Sequence, residues 1–188
     1  MEGNAPRLVG TRVVLRPPQP SDVAARVALG THPEIEAPFG TSRNEVVPVT
    51  PARAEAWLQR LAVNPYGWLI EAGTLVGEIR LDRVDRRERR AALAVGILDP
   101  RALGKGLGTE AMALALDYAF RALGLHRVSA RVLAHNARAI RAYQKCGFVA
   151  EGREREAAFI DGAWHDDLIM GVLDRDFAAS GAARLAVC

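Results

Sequence analysis

Apolar residues recur at the helical period in a stretch that also carries a helix start signal. Five of them share one face of a helix with about 3.6 residues per turn: Ala54, Trp57, Leu58, Leu61 and Ala62. Thr50 precedes them as an N-cap, and Pro51 suits the first helical position. The pattern predicts an amphipathic helix from Pro51 to about Val63.

The residues before this helix predict a strand, a short helix and an irregular segment. Residues 11–16, TRVVLR, form a β-branched run that ends at Pro17. Ser21 starts a helix that reaches about Leu29. Glycine or proline interrupts residues 30–48 every few positions, so we expect a long loop or broken helix there.

Three strand-like runs follow the amphipathic helix: residues 66–71, 75–81 and 91–98. The charged segment 85–90, DRRERR, separates the last two, and its composition is typical of a solvated hairpin tip. These runs predict an antiparallel meander.

A glycine-rich loop then leads into a mostly apolar helix that ends near Leu123, before Gly124. Its charged residues, Glu110, Asp117 and Arg121, are spaced by seven and four positions. This spacing puts all three on one narrow stripe, and we expect the rest of the circumference to be buried.

The last third of the chain predicts further strands and one helix. The strand-like runs are residues 128–134, 155–160 and 164–172, with a short extended restart at 148–149. Asn136 caps a helix that ends at Gly147, and Asp161 with Gly162 predicts a hairpin turn. The whole order predicts an α/β (α+β) protein with a mixed sheet, antiparallel at its start and with helical crossovers later.

Length and composition restrict the class of protein. The 188 residues suit one domain, which we place at 1–177, followed by a frayed tail at 178–188. A net charge of +3 is too small to indicate a nucleic-acid partner, and no apolar run is long enough to span a membrane. Cys146 and Cys188 fit no metal-ligand pattern, so we expect no metal, reduced thiols and a cytoplasmic protein.

The loop that contains Gly104, Gly106 and Gly108 predicts an anion site. Glycines let the backbone approach a ligand closely, and the N–H groups of the following helix point at the same place. The helix dipole favours phosphate or pyrophosphate, and Lys105, one of only two lysines, adds a charge at the rim. Two common phosphate motifs are excluded by spacing, since Thr109 replaces the third glycine of a dinucleotide fingerprint and Gly106 follows the lysine of a would-be Walker loop.

Two segments, ILDPRALGKGLGTEAMALALDYAF and NARAIRAYQKCGFVAEGREREAAFIDGAWHDDLIMGVL, resemble the acyl-CoA-binding motif and the following part of GNAT acetyltransferases. With TRVVLRP near the N-terminus and DGAWHDDLIM near the end, the pattern is similar to the Rim-type branch, which acetylates protein N-termini. The resemblance implies a GNAT fold, with a strongly twisted sheet of about seven strands, about four helices and a splayed centre that binds acyl-CoA.

The resemblance also implies contacts for acetyl-CoA. The pyrophosphate would lie against the backbone of Gly104, Lys105, Gly106, Leu107 and Gly108, with Thr109 at the helix start. The pantetheine arm would pair with the strand through Val95, Ile97 and Leu98, and would touch Asn136 and Ala139. Tyr143 would lie near the thioester sulfur.

One position departs from the family pattern. The family often has Arg or Gln shortly before a Gly-x-Gly pair, and Leu103 occupies that position when Gly106 and Gly108 form the pair. Arg101 takes that role only when the loop is read one glycine earlier, with Gly104 and Gly106.

Acetyl transfer needs a neutral amine, stabilisation of the oxyanion and a proton for the departing thiolate. The N–H near Ile97 is our candidate for the oxyanion, and Tyr143 for the proton donor. Glu78, on the strand VGEIRL, is the first candidate for the base. The alternatives are three residues of the last strand: His165, Asp166 and Asp167.

The first hypothesis is therefore an acetyl-CoA-dependent N-acetyltransferase whose acceptor is a primary amine, such as a protein N-terminus. Alternatives are a small amine acceptor (an antibiotic or a polyamine), an acyl-CoA-binding module without turnover, and a nucleotide-binding protein. The aromatic residues Phe159 and Trp164 on the terminal hairpin would support a homodimer.

Overall fold

A mixed sheet of eight strands organises the protein, in the order β1-β2-β3-β4-β5-β6-β8-β7. The computed structural model describes residues 5–37, 40–42 and 46–185, except for the side chains of residues 184 and 185. The strands are β1 Leu8–Val9, β2 Val14–Arg16, β3 Gly67–Glu71, β4 Leu75–Asp85, β5 Arg90–Ile97, β6 Arg127–Leu133, β7 Val149–Ile160 and β8 Ala163–Leu173.

Six α-helices cover the sheet in the described part of the chain. They are α1 Asp22–Leu29, α2 Pro33–Glu36, α3 Pro51–Ala62, α4 Leu107–Asp117, α5 Ala137–Lys145 and α6 Asp174–Ala179. The predicted start of α3 is confirmed, because the Thr50 side chain accepts the Arg53 N–H at 3.3 Å and Pro51 is the first helical residue. A π-helical turn, Tyr118–Ala122, extends α4 to the predicted end.

The predicted fold class is confirmed, with slightly more elements than the seven strands and four helices expected. One added strand is β1, whose two residues pair with β2. One added helix is α2, which lies inside the predicted irregular segment and begins with Pro33. Both are too short for hydrophobic periodicity to reveal them.

Glu110 is an exception to the predicted pattern of α4, in which the charged stripe is the exposed side of the helix. Its side chain is fully buried, at 0% exposure. The first turn of α4 packs against the turn between β1 and β2, where the carboxylate meets backbone N–H groups. Asp117 and Arg121 form the i,i+4 ion pair that their spacing predicts.

The tail predicted to fray is helical in its described part. Helix α6 includes residues 178 and 179, and a 3-10 turn, Gly181–Leu185, follows it. Ala182 is 3% exposed and belongs to the hydrophobic core. Small alanine side chains let this turn pack closely, which composition alone did not reveal; residues 186–188 lie outside the described residues.

The hydrophobic core lies on both faces of the sheet. On one face α4 packs against the central strands, with Trp68, Ile79 and Met112 fully or almost fully buried. On the other face α1 and α3 cover Leu69 and Leu75. Alternate residues of β3 therefore serve two different cores, with Trp68 and Ile70 on one face and Leu69 on the other, which fits the period-two geometry of a strand.

Strands β5 and β6 stay together for only three residue pairs. Their parallel pairing joins Arg90 to Arg127, Ala91 to Val128 and Ala92 to Ser129. Beyond Ala92, β5 continues to Ile97 beside β4 alone, while β6 continues beside β8. The sheet therefore opens at its centre, as the family resemblance implied.

Within the described ranges, no helix is long and apolar enough to cross a membrane. The same residues contain no group of three or more His, Cys, Asp or Glu side chains that could hold a metal ion. The predicted cytoplasmic location stays a prediction.

Substitution of Gly77 by alanine tests the close approach of β4 and β5 at the opening. A Cβ at Gly77 would lie 2.2 Å from the Gly96 carbonyl oxygen, and backbone atoms cannot move away cheaply. We expect Gly77→Ala to lower the free energy of unfolding by about 1–3 kcal/mol, and urea denaturation measures this change. Gly152→Ala is the control, because a Cβ there meets nothing within 4 Å; equal stability of the two variants would contradict the packing argument.

Candidate active site

The glycine loop turns at its first two glycines. Gly104 and Gly106 have φ of 73° and 78°, in the left-handed region that favours glycine. Gly108 lies inside α4, where a Cβ would be 3.4 Å from Ile97 Cγ1. The turn therefore uses Gly104 and Gly106 as its Gly-x-Gly pair, which is the alternative in which Arg101 occupies the family's basic position.

In that reading Arg101 is the relevant basic residue, but its side chain is engaged elsewhere. It is 81% exposed and forms two hydrogen bonds of 3.0 Å to the Asp99 carboxylate. Arg101 does not line the cavity beside the loop, whereas Leu103 does. An anion at the loop would therefore be bound by backbone N–H groups and by basic residues from another element.

Helix α4 begins at Leu107, directly after the turn. The first N–H groups of a helix have no acceptor within the helix and carry its positive dipole end. Here these groups belong to Leu107, Gly108 and Thr109, and all three residues line the adjacent cavity. The arrangement suits a phosphate or pyrophosphate group.

A cavity of about 300 Å³, called the loop cavity, lies between the glycine loop and α5. It contains most of the predicted contacts: Val95, Ile97, Gly104, Gly106, Leu107, Gly108, Thr109, Asn136 and Ala139. Lys105 is exposed and does not line it. Three basic residues that sequence reasoning missed do line it: Arg138, Arg141 and Lys145. Their spacing of three and four positions on α5 was the available signal, because it puts them on one helix face.

Strand β5 presents backbone groups to the opening in the sheet. The Leu98 N–H donates to the Val76 carbonyl at 2.8 Å, and Gly96 pairs with Glu78. Since antiparallel strands alternate between bonded and non-bonded pairs, the N–H and C=O groups of Val95 and Ile97 point away from β4. These groups face the opening, whereas the N–H of Leu98 is already bonded.

Asn136 and Tyr143 line a second cavity, of about 490 Å³, that extends from the opening towards β6 and β8; we call it the gap cavity. The Asn136 side chain also caps α5, accepting the Ala139 N–H at 3.1 Å. The Tyr143 ring packs edge-on against Phe148, with 5.0 Å between centroids. Val95 lines both cavities, so they meet at β5.

Burial raises the pKa of Tyr143 above its usual value, Cys146 adds to the effect, and the charge of Arg80 opposes it. The phenol thus keeps its proton at neutral pH. Burial also raises the pKa of Cys146 to about 12, so this thiol is unreactive.

A third cavity, of about 610 Å³, lies on the face of the sheet that α1 and α3 cover; we call it the outer cavity. Glu78 lines it, largely buried, with Arg80 Nη1 3.2 Å from its carboxylate. Burial raises the pKa of Glu78, while Arg80, Trp57 and more distant arginines oppose this effect. Val95 lines this cavity too, so the three cavities converge on one residue.

The alternative bases are held in other interactions. Asp166 pairs with Arg153 and accepts the Glu156 N–H, and these hydrogen bonds lower its pKa. Asp167 is buried in an ion pair with Arg131. The His165 ring packs against His135. Glu78 therefore differs from Asp166 in having a raised and not a lowered pKa.

An ion pair between the buried Glu110 and the half-exposed Arg12 supports the glycine loop, and sequence reasoning missed it. The Glu110 carboxylate accepts the Arg12 N–H at 2.7 Å and the Arg12 Nε at 2.8 Å. The same guanidinium donates through Nη1 to the Lys105 carbonyl at 2.9 Å. Arg12 thus joins the β1–β2 turn, α4 and the loop, which no local pattern could indicate.

Comparison with known proteins identifies the family. A model of the acetyltransferase (GNAT) domain matches residues 12–149. The chain belongs to this family, as the resemblance predicted. The structure of a GCN5-related N-acetyltransferase from Brucella melitensis has the same fold, with a TM-score of 0.80 at 22% identity over 98% of this chain and 85% of that one.

Curated relatives fall into more than one functional class. The probable N-acetyltransferase YjcK of Bacillus subtilis is 37% identical over 54% of this chain and 56% of its own. A spermidine N(1)-acetyltransferase of Vibrio cholerae is 34% identical over 55% and 59%. The [ribosomal protein uS5]-alanine N-acetyltransferase of Escherichia coli is 34% identical over 39% and 38%. The chain thus aligns with little more than half of the first two relatives.

One solved relative carries ligands. The spermidine N-acetyltransferase of Vibrio cholerae in complex with CoA and spermine has a TM-score of 0.73 at 25% identity, over 89% of this chain and 98% of that one.

Arg12→Met tests the support of the glycine loop. The change removes the hydrogen bonds to Glu110 and Lys105 while keeping an apolar side chain of similar length. We expect amide hydrogen exchange of residues 103–108 to become about 5–30-fold faster, because one to two hydrogen bonds of about 1 kcal/mol each are lost. Mass-spectrometric exchange measures it, with Arg121→Met, an exposed ion-paired arginine, as the control. Unchanged protection of the loop would show that Arg12 has no part in holding it.

Proposed function

We propose that this chain is an acetyl-CoA-dependent N-acetyltransferase that acts on a primary amine, such as a protein N-terminal α-amine. The observation that carries the proposal is the convergence of three cavities on Val95. An anion cradle, an unpaired strand edge and a cavity that contains the Glu78 carboxylate thereby all border one residue. Membership of the GNAT family and the names of its relatives support the same activity.

The loop cavity fits the donor. CoA carries several phosphates, and the cradle offers the α4 N-terminus together with Arg138, Arg141 and Lys145. The N–H and C=O groups of Val95 and Ile97 would hold the amide-containing pantetheine arm as a neighbouring strand would. The fit depends on backbone geometry, so Leu103 in place of a polar residue does not oppose it.

The thioester, when bound, supplies an activated acetyl group. The N–C bond forms as the C–S bond breaks, so one proton must leave the amine and one must reach the thiolate. In this chain Glu78 would take the amine proton and Tyr143 would supply the other. The Ile97 N–H, which faces the opening, would stabilise the negative charge on the carbonyl oxygen.

The pKa of the acceptor amine determines how much free energy its deprotonation by the base costs. An α-amine with a pKa near 8 loses its proton at neutral pH at a cost of about 1 kcal/mol, whereas a lysine-like amine costs about 4–5 kcal/mol. Burial of Glu78 makes it a stronger base than an exposed glutamate. Glu78 could therefore serve either kind of acceptor.

A small-amine acceptor and an acyl-CoA-binding module without turnover are the alternatives. Two relatives are named as spermidine acetyltransferases, which supports the first. The homodimer also stays a prediction, and it is supported by the exposure of Phe159 and Trp164, at 58% and 61%.

The direct test of function is thiol release from acetyl-CoA with a panel of peptides and small amines, and mass spectrometry to detect the acetylated product. We expect turnover with at least one primary amine and no detectable turnover with its N,N-dimethylated form, a tertiary amine that cannot form a stable amide. Tight CoA binding by calorimetry without transfer to any amine would favour the non-catalytic module.

Glu78→Gln and Tyr143→Phe separate the two proton transfers. Because the base must be ionised and burial raises its pKa, activity should fall as the pH drops through a value above the usual glutamate range. A hydrazide acceptor, neutral throughout, keeps the substrate from titrating. We expect Glu78→Gln to lower kcat about 100-fold and remove this acidic limb, and Tyr143→Phe to lower kcat about 10-fold with the limb retained. An unchanged limb in Glu78→Gln would assign the base elsewhere.

A further inference from the structure

The outer cavity carries more positive than negative charge. Its described lining contains four arginines and two glutamates: Arg26, Arg53, Arg60, Arg80, Glu36 and Glu78. A cavity for a polycation would need the opposite balance.

Only one of these arginines is neutralised by ion pairs. Arg80 lies 3.2 Å from the Glu78 carboxylate and 2.9 Å from that of Asp82. Among the described residues, no carboxylate forms a salt bridge with Arg26, Arg53 or Arg60, although the charges of Glu36 and Glu78 act on Arg26 from a greater distance. Three cations of the lining thus retain most of their charge for a ligand.

The three arginines are arranged around one aromatic residue. Arg26 is buried, donates to the Gly30 carbonyl at 2.8 Å and lies over the Trp57 ring, 5.6 Å from its centroid. Arg53 and Arg60 flank Trp57 on α3, four positions before it and three after it, and so share its helix face. The wall formed by α1 and α3 therefore offers a row of guanidinium groups, which suit planar anions such as carboxylates.

The same cavity also contains a group suited to an amine, the Glu78 carboxylate, which lies next to the Trp57 side chain. Glu78 pairs in register with Gly96 of β5, beside Val95 at the opening in the sheet. A ligand with its amine at Glu78 and an anionic group a few ångströms further away would meet opposite charges at both ends. At about 610 Å³ the cavity has room for such a molecule.

We propose that the acceptor is an amine that also carries a carboxylate, such as an acidic peptide N-terminus or an acidic amino acid, and is not a polyamine. The proposal rests on the proposed acetyltransferase function and narrows its substrate class. The arginines of α1 and α3 bind the carboxylate, and Glu78 receives the amine. A polyamine would leave these arginines without an anion and would add like charge beside them.

The test compares kcat/KM for acetyl transfer to five acceptors at fixed ionic strength. They are the tripeptides Ala-Glu-Glu, Ala-Gln-Gln and Ala-Lys-Lys with blocked C-termini and lysine side chains left free, spermidine, and free glutamate. We expect Ala-Glu-Glu to exceed Ala-Gln-Gln by at least 10-fold, and spermidine to be the poorest. The ratio of glutamate to acidic peptide shows whether the carboxylate comes from a small molecule or from a polypeptide; activity with either supports the proposal.

The variant Arg53→Gln tests whether the outer cavity causes the preference for acidic acceptors. This residue is exposed in the first turns of α3, so the change should not disturb folding as loss of the buried Arg26 could. We expect the ratio of Ala-Glu-Glu to Ala-Gln-Gln to fall several-fold. Arg87→Gln, an exposed arginine of the hairpin tip at 85–90, is the matched control and should leave the ratio unchanged.

The outcomes separate the two levels of the proposal. Transfer to spermidine or Ala-Lys-Lys at rates equal to or above those for Ala-Glu-Glu overturns the acceptor class but leaves the acetyltransferase function standing. An acidic preference that survives equally in Arg53→Gln and Arg60→Gln also overturns the assignment to this cavity. Absence of transfer to every acceptor, with CoA bound, overturns the proposed function itself.

Discussion

The separation of β5 from β6 after three residue pairs is the constraint on which the candidate site depends. While the strands are paired, their backbone groups satisfy one another. Once they diverge, Val95 and Ile97 present N–H and C=O groups that need another partner, and an extended amide-containing ligand can replace the missing strand. The cavities that contain Glu78 and Tyr143 both border Val95 at this opening.

The buried Glu110 carboxylate holds the glycine loop beside that opening. A buried charge is stable only when it is paired and hydrogen-bonded, and Glu110 meets both needs through Arg12 and the Val13 N–H. The same arginine bonds to the Lys105 carbonyl and so ties the loop to the N-terminal turn. The anion cradle thus combines flexible residues, Gly104 and Gly106, with a rigid support from a distant part of the chain.

Charge divides the candidate site into two ends with different chemistry. The loop cavity combines a helix N-terminus with three basic side chains, which suits several phosphates. The outer cavity combines the largely buried Glu78 carboxylate with the arginines of α1 and α3. Between them, Tyr143 remains protonated because burial disfavours its ionised form. Tyr143 thus carries the proton that its proposed role requires, whereas burial opposes the ionised form that Glu78 would need as a base.

The sequence by itself determined the order of the long elements, the hairpin turns and the glycine loop, because these depend on periodicity, capping and positive φ within a few neighbouring residues. It also indicated Glu78 through its position on a strand, and the family resemblance indicated Asn136 and Tyr143. Only the tertiary structure decided that Glu110 is buried, that Arg12 supports the loop and that arginines from α1 and α3 share a cavity with Glu78. These contacts join residues from 18 to 98 positions apart, and local patterns carry no information about which distant segments will pack together.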